Sequence, residues 1–139
     1  MTPTGTKVAV DTSVSIPLLL AGHEQHDAVV VAVGNRELLL AGHAAIETFA
    51  VLTRLPVSER VTPHDAMTLM NDVFAGVCEV STTTAAVVQR IASAGIGGGA
   101  VYDALVGMAC VDNDLMLLTR DERALPTYAA LGVRVELLS

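Results

Sequence analysis

Short apolar runs alternate along this chain with longer stretches of helical period. Lys7 to Val10 reads as a short buried strand, followed by Asp11-Thr12-Ser13. Ser13 suits the N-cap of a helix from Val14 to about Leu20. A second helix is expected over about Glu24 to Gly34, and Glu37 to Ala41 reads as a second strand. His43 to Leu55 is expected to be helical and to stop before Pro56, because proline disfavours a helical residue ahead of it. Thr62-Pro63-His64-Asp65 is a helix start, with threonine as cap and proline in the first turn. That helix should run to about Ala75 and close on Gly76. Val77 to Val80 is a third strand. Ser81 and the threonines after it open a helix that ends near Gly95. A glycine-rich stretch precedes a helix from about Val101 to Val111, and Asp112-Asn113-Asp114 makes a turn. Leu115 to Thr119 is a fourth strand, Glu122 to Leu131 a final helix and Val133 to Leu137 a last strand.

Strands alternating with helices predict a parallel sheet covered on both faces and joined by right-handed crossovers. The 139 residues suit one domain, and no internal repeat or linker divides residues 1–139. Apolar residues are 52% of the chain and aromatics only 3%, so Val, Leu, Ala and Ile must build the core. The longest uninterrupted apolar run, Ala28 to Val33, is far short of the roughly 18 residues of a membrane span. Met1 to Lys7 lacks the pattern of a signal peptide. Cys78 and Cys110 sit in apolar stretches without metal or redox spacing, as buried thiols of a reducing cytoplasm do.

Net charge is −7, and eight Lys and Arg cannot supply a large basic face. That argues against a nucleic-acid enzyme, unless the enzyme meets phosphate through metal ions held by its own carboxylates. In an open α/β sheet, ligands bind outside the carboxyl ends of the strands. Asp11 directly follows the first strand, and Asp121 follows the fourth by two residues. Asp112 and Asp114 precede the fourth strand and fall at the opposite edge. Glu47 is one turn into the helix after the second strand, where a carboxylate among apolar neighbours should be partly buried. Asp103 is in the first turn of the helix after the glycines.

Each acid also has a structural explanation. Asp11 and Asp121 can cap helices, Asp103 can serve a helix N-terminus, and Glu47 can pair with Arg54 two turns away. Together, Asp11, Glu47, Asp103 and Asp121 at one edge would repel one another unless a cation joined them. Hard divalent cations fit that need, and a metal-carboxylate site can activate water against a phosphodiester.

With these residues in view, the chain resembles a PIN-domain nuclease of the VapC toxin type over essentially its whole length. Val10-Asp11-Thr12-Ser13, Glu47, Tyr102-Asp103-Ala104-Leu105 and Leu118-Thr119-Arg120-Asp121 carry the resemblance in order. It implies a three-layer α/β/α sandwich around a parallel sheet of four or five strands. It further implies a cytoplasmic Mg²⁺- or Mn²⁺-dependent endoribonuclease. A small antitoxin would cover the active site of a homodimer. Asp11, Glu47 and Asp103 would be the primary metal ligands, with Asp121 completing the site directly or through water. Ser13 and Thr119 would be polar helpers. Many relatives carry an aromatic shortly after the fourth acid; here the stretch is Asp121-Glu-Arg-Ala-Leu-Pro.

Arg54, Arg120 and Arg123 are the candidates for phosphate contact. His43, one turn before Glu47, caps a helix start or touches the site. His23, His26 and His64 read as surface. Gly97-Gly98-Gly99 lacks the Lys-Ser/Thr ending of a phosphate loop and reads as a hinge. Met67, Met70 and Phe74 recur at helical spacing and read as core, or else as a dimer or antitoxin surface. A haloacid-dehalogenase-type phosphatase would need a second Asp where Ser13 stands. A receiver domain would need a late Lys, and the only lysine is Lys7. A metal-dependent DNase of the same fold and a catalytically inactive scaffold remain as alternatives.

Overall fold

The computed structural model describes residues 6–139. The expectation about the N-terminal stretch falls largely on residues 1–5, outside the described residues. Five strands form one parallel sheet: β1 (Lys7–Val10), β2 (Glu37–Ala41), β3 (Gly76–Cys78), β4 (Leu117–Thr119) and β5 (Val135–Leu137). Their order across the sheet is β3-β2-β1-β4-β5. Val10 stands beside Leu40 on one side and Leu118 on the other. The chain thus reverses its direction of winding around β1 and β4, where open α/β sheets leave a crevice.

Alternation along the strands builds two cores. Val8, Val10, Leu38, Leu40 and Leu118 face one way. They meet α1 (Thr12–Leu19), α2 (His26–Val33), α3 (His43–Thr53) and α4 (Pro63–Val73). Ala9, Ala41 and Leu117 face the other way, with α6 (Ala100–Asp112) and α7 (Leu125–Ala130) upon them. Here α5 (Thr84–Ser93) adds Val87 and Ile91 against α6. The expected α/β/α sandwich is what the chain forms. No helix among the described residues is long and apolar enough to cross a membrane.

Several element ends differ from expectation for identifiable reasons. The N-cap of α1 is Asp11, not Ser13: the Asp11 side chain turns back and accepts from the Ser13 N–H. Gly76 does not close α4. The helix ends at Val73, and Gly76 opens β3 opposite Leu39, because ladder pairing claims its backbone. The final helix is broken. Glu122–Ala124 forms a 3₁₀ turn and α7 starts at Leu125, with Pro126 in its first turn, where a missing N–H costs nothing. Thr62 caps α4 as its sequence predicts, accepting from the Asp65 N–H. Of the methionine stripe, Met70 and Phe74 are buried while Met67 is exposed. Met67 lines an apolar groove of about 370 Å³ with Ile46, Phe49 and Val77. Cys78 and Cys110 are buried and unbridged.

Two glycines allow close packing around α6. Gly42 has φ +49°, and a Cβ there would meet the Ala109 Cβ at 3.1 Å and the Leu105 carbonyl at 3.4 Å. Only glycine suits that conformation and that contact at the entry to α3. Gly107 lets α7 settle on α6, since a Cβ would meet the Val133, Leu131 and Tyr128 side chains at 3.0–3.3 Å.

Candidate active site

Asp11, Glu47, Asp103 and Asp121 line one cavity of about 250 Å³ at the carboxyl edge of the sheet, with Thr12, Ser13, Val106 and Tyr128. Four elements deliver the acids. Asp11 directly follows β1 and Asp121 follows β4. Glu47 rides on α3, at the flank of the face that buries Ala44, Thr48 and Leu52. That orientation leaves Glu47 exposed, against the expectation of partial burial. A buried hydroxyl pair, Ser15 Oγ to Thr48 Oγ1 at 2.6 Å, ties α3 to α1 beside it. Asp103 is in the first turn of α6, where Gly99 supplies no side-chain cap. Its charge there is favoured by the helix dipole.

The environments of the acids differ. Asp11 is buried and accepts four hydrogen bonds. Oδ1 takes the Ser13 N–H at 3.1 Å and the Ser13 hydroxyl at 2.5 Å. Oδ2 takes the Thr119 hydroxyl at 2.5 Å and the Tyr128 hydroxyl at 2.9 Å. Burial pushes its carboxyl above the ordinary range, and these hydroxyls only partly offset it. Asp103 is also pushed up, first by burial and then by Asp121, Asp11 and Glu47. Among the described residues neither Glu47 nor Asp103 has a side-chain hydrogen bond or ion pair. Asp121 caps the 3₁₀ turn, accepting from the Arg123 N–H at 3.0 Å. The Arg123 Nε reaches it at 3.4 Å from an almost fully exposed side chain. The capping roles of Asp11 and Asp121 and their place in the cavity therefore coexist.

Oxygen-only donors, crowded and short of counter-charge, match a hard divalent cation better than a soft metal. Among the described residues no three Asp, Glu, His or Cys side chains are gathered into a ready ligand cage. The cavity instead has room for an ion that keeps part of its water shell, which Mg²⁺ does readily. Both oxygens of Asp11 already accept hydrogen bonds, so a cation held by Asp11 would compete with those donors.

Residues 8–131 match the PIN domain. The chain belongs to the PIN-domain family. It is 48% identical over 129 residues to Ribonuclease VapC27 of Mycobacterium tuberculosis, spanning 92% of this chain and 94% of that one. Ribonuclease VapC40 of the same organism is 39% identical over 138 residues, spanning 95% and 99%. The fold is shared with solved structures at low identity. VapBC2 from Rickettsia felis, bound to a DNA fragment from its promoter, superposes with TM-score 0.66 at 8% identity, covering 96% of this chain and 100% of that one. FitAcB from Neisseria gonorrhoeae gives 0.64 at 17%, covering 92% and 95%.

In this PIN domain the sequence reading missed Tyr128. No aromatic stands just after Asp121, but Tyr128 comes later on α7, fully buried, with its hydroxyl on Asp11. Burial and the Asp11 charge push the phenol up, so it stays a proton donor. The available signal was a tyrosine on the apolar face of the last helix, since a buried hydroxyl demands a partner. The Ser13 and Thr119 hydroxyls both donate to the Asp11 carboxylate. Arg120 and Arg123 border the acid cavity, whereas Arg54 caps the far end of α3, exposed, and lines neither the acid cavity nor its neighbours. His43 stacks on Tyr102, with ring centroids 5.1 Å apart, at the start of α3.

Proposed function

We propose that this PIN domain is a Mg²⁺-dependent endoribonuclease, with Mn²⁺ as substitute, and the toxin of a toxin–antitoxin pair. The observation that carries the reading is the cavity itself: four carboxylates line it, and Asp11 and Asp103 are held above their ordinary range. The close relatives named ribonucleases support RNA as the substrate. The fold shared with VapBC2 supports a small antitoxin as partner. Cytoplasmic location and homodimerisation belong to the same reading.

Asp11, Glu47 and Asp103 would hold the ion, and Asp121 would complete the site directly or through water. Bound Mg²⁺ would supply Lewis-acid polarisation of the phosphate and activation of water. The protein contributes position. Ser13, Thr119 and Tyr128 lock the Asp11 carboxylate in one orientation. The Ser15–Thr48 pair sets the spacing of Glu47 from Asp11.

The test is cleavage of RNA by purified protein with Mg²⁺ or Mn²⁺, in EDTA, and by the Asp103→Asn variant. Cleavage is expected only from the native protein with metal. Undiminished cleavage in EDTA, or cleavage of DNA but not RNA, overturns the reading. Sequencing of RNA ends after induced expression identifies the substrate. A small neighbouring reading frame that suppresses toxicity is the expected partner, and harmless overexpression without one removes the toxin assignment.

A further inference from the structure

A second cavity, of about 400 Å³, borders the acid cavity, and the two share Thr12, Ser13 and Asp121 in their walls. Beyond that shared rim the chemistry reverses. The second cavity adds His23, Arg120 and Arg123 over Ile16 and Pro17.

Three residues define what it offers. The Arg120 backbone N–H donates to Ser13 Oγ at 2.8 Å, which fastens the residue to the rim. Its Nε is buried and has no hydrogen-bond partner among the described residues. A buried guanidinium N–H without an acceptor is costly, and the group cannot shed its charge. The described ion pairs occupy Lys7, Arg36, Arg90, Arg123 and Arg134, so no carboxylate neutralises Arg120. His23 is not the free surface residue its sequence suggests. Its Nδ1 accepts the Gln25 N–H at 3.0 Å, which places the neutral ring's proton on Nε2 as a donor. Arg123 is 93% exposed and holds Asp121 only at 3.4 Å, a weak attachment that a better acceptor can replace.

The cavity thus presents donors and positive charge, and its natural guest presents oxygen anions alone. Arginine forks fit phosphate oxygens in pairs. A phosphodiester seated over the acids would put the adjoining phosphates of the same strand near the shared rim. We propose that Arg120, Arg123 and His23 form a phosphate subsite that holds the RNA backbone at a linkage beside the one cut. This rests on the ribonuclease reading above, and it assigns Arg54 no part.

The cut linkage is first mapped with native protein and Mg²⁺. Binding of a short labelled single-stranded RNA is then measured in EDTA, with each linkage in turn replaced by a neutral methylphosphonate. Neutralising one linkage next to the cut should weaken native binding about tenfold. The same replacement should have little effect on Arg120→Ala. Arg120→Ala and Arg123→Ala should each lower the slope of log Kd against log salt by about 0.7. Arg123 is exposed enough that its variant cannot disturb the fold, and Arg120→Lys should restore charge but only part of the affinity. Equal sensitivity at every linkage, or independent effects of Arg120→Ala and methylphosphonate, overturns the subsite. So does loss of antitoxin binding with RNA binding intact, which would mark an acidic protein segment as the occupant. Failure of native protein to cut RNA instead removes the ribonuclease reading, a result visible before any variant is made.

Discussion

Acidic residues stand at both edges of the sheet, and their surroundings are opposite. Ahead of β4, Asp112 receives the Arg90 guanidinium at 2.8 Å and the Ser81 N–H at 3.0 Å. Burial works against its charge, but Ser81 and Arg90 bring its carboxyl below the ordinary range. Asp114 likewise has Arg134 at 3.1 Å. At the carboxyl edge four acids share one loosely held arginine, and Asp11 and Asp103 are pushed up. Paired acids stabilise the fold modestly; crowded, unpaired acids store repulsion that an added cation would release. The contrast separates paired from crowded carboxylates more sharply than any motif does.

Neutralising one acid at each edge should break this contrast in opposite directions. Asp103→Asn is expected to lower Mg²⁺-dependent RNA cleavage on the order of 10³-fold or more, because an ion-stabilised transition state is worth several kcal/mol. The same variant should raise the melting temperature of the metal-free protein, by relieving repulsion from Asp121, Asp11 and Glu47. A lowered melting temperature would show that the acids are not in conflict.

Metal addition tests the same repulsion without mutation. At one hundred times its Kd, Mg²⁺ should stabilise the protein by about 2.7 kcal/mol at neutral pH, read as a shift in thermal unfolding. The sign with pH follows from the raised carboxyls of Asp11 and Asp103. Their protonated forms favour the folded state, a contribution present below the unfolded carboxyl pKa and lost as pH rises through the raised folded values. Metal-free stability from these two groups therefore falls with rising pH, and the Mg²⁺ increment grows over that window. An increment independent of pH would place the ion elsewhere.

Tyr128→Phe removes a single hydroxyl from behind Asp11. A support of this kind typically changes metal affinity or activity about 10- to 100-fold. Calorimetric titration with Mg²⁺ distinguishes this from a packing defect, since the phenyl ring still fills the space. Unchanged affinity would reduce Tyr128 to a core residue. The smallest effect is expected at the other edge. Asp112→Asn should leave cleavage intact and lower the melting temperature slightly, by loss of the partly exposed Arg90 pair.

The edge to which each acid goes was legible because strand ends are local events. Asp11 and Asp121 follow strands, Asp112 and Asp114 precede one, and parallel pairing carries that order into space. The cap at Thr62 was legible for the same reason. Other features were not local. Gly76 looks like a helix stop until β2 is there to pair with β3. Arg54 shares a helical face with Glu47 only if the helix continues, and α3 ends at Thr53. The half-burial of His23 depends on the fold of the turn around it, not on its place before a predicted helix.

Periodicity, capping residues and proline positions settled the alternation of strands and helices. The same signals settled which carboxylates emerge at the carboxyl edge of the sheet, because backbone preference and amphipathic pattern act over a few residues. The partners of those carboxylates were settled only by tertiary structure. Thr119 and Tyr128 reach Asp11 across 108 and 117 residues of chain. The Arg120 backbone is fastened to Ser13 across 107 residues, and its Nε is left buried without a partner among the described residues. Desolvation, charge repulsion and hydrogen-bond saturation depend on distance in space, so they exist only once the sheet has gathered its ends.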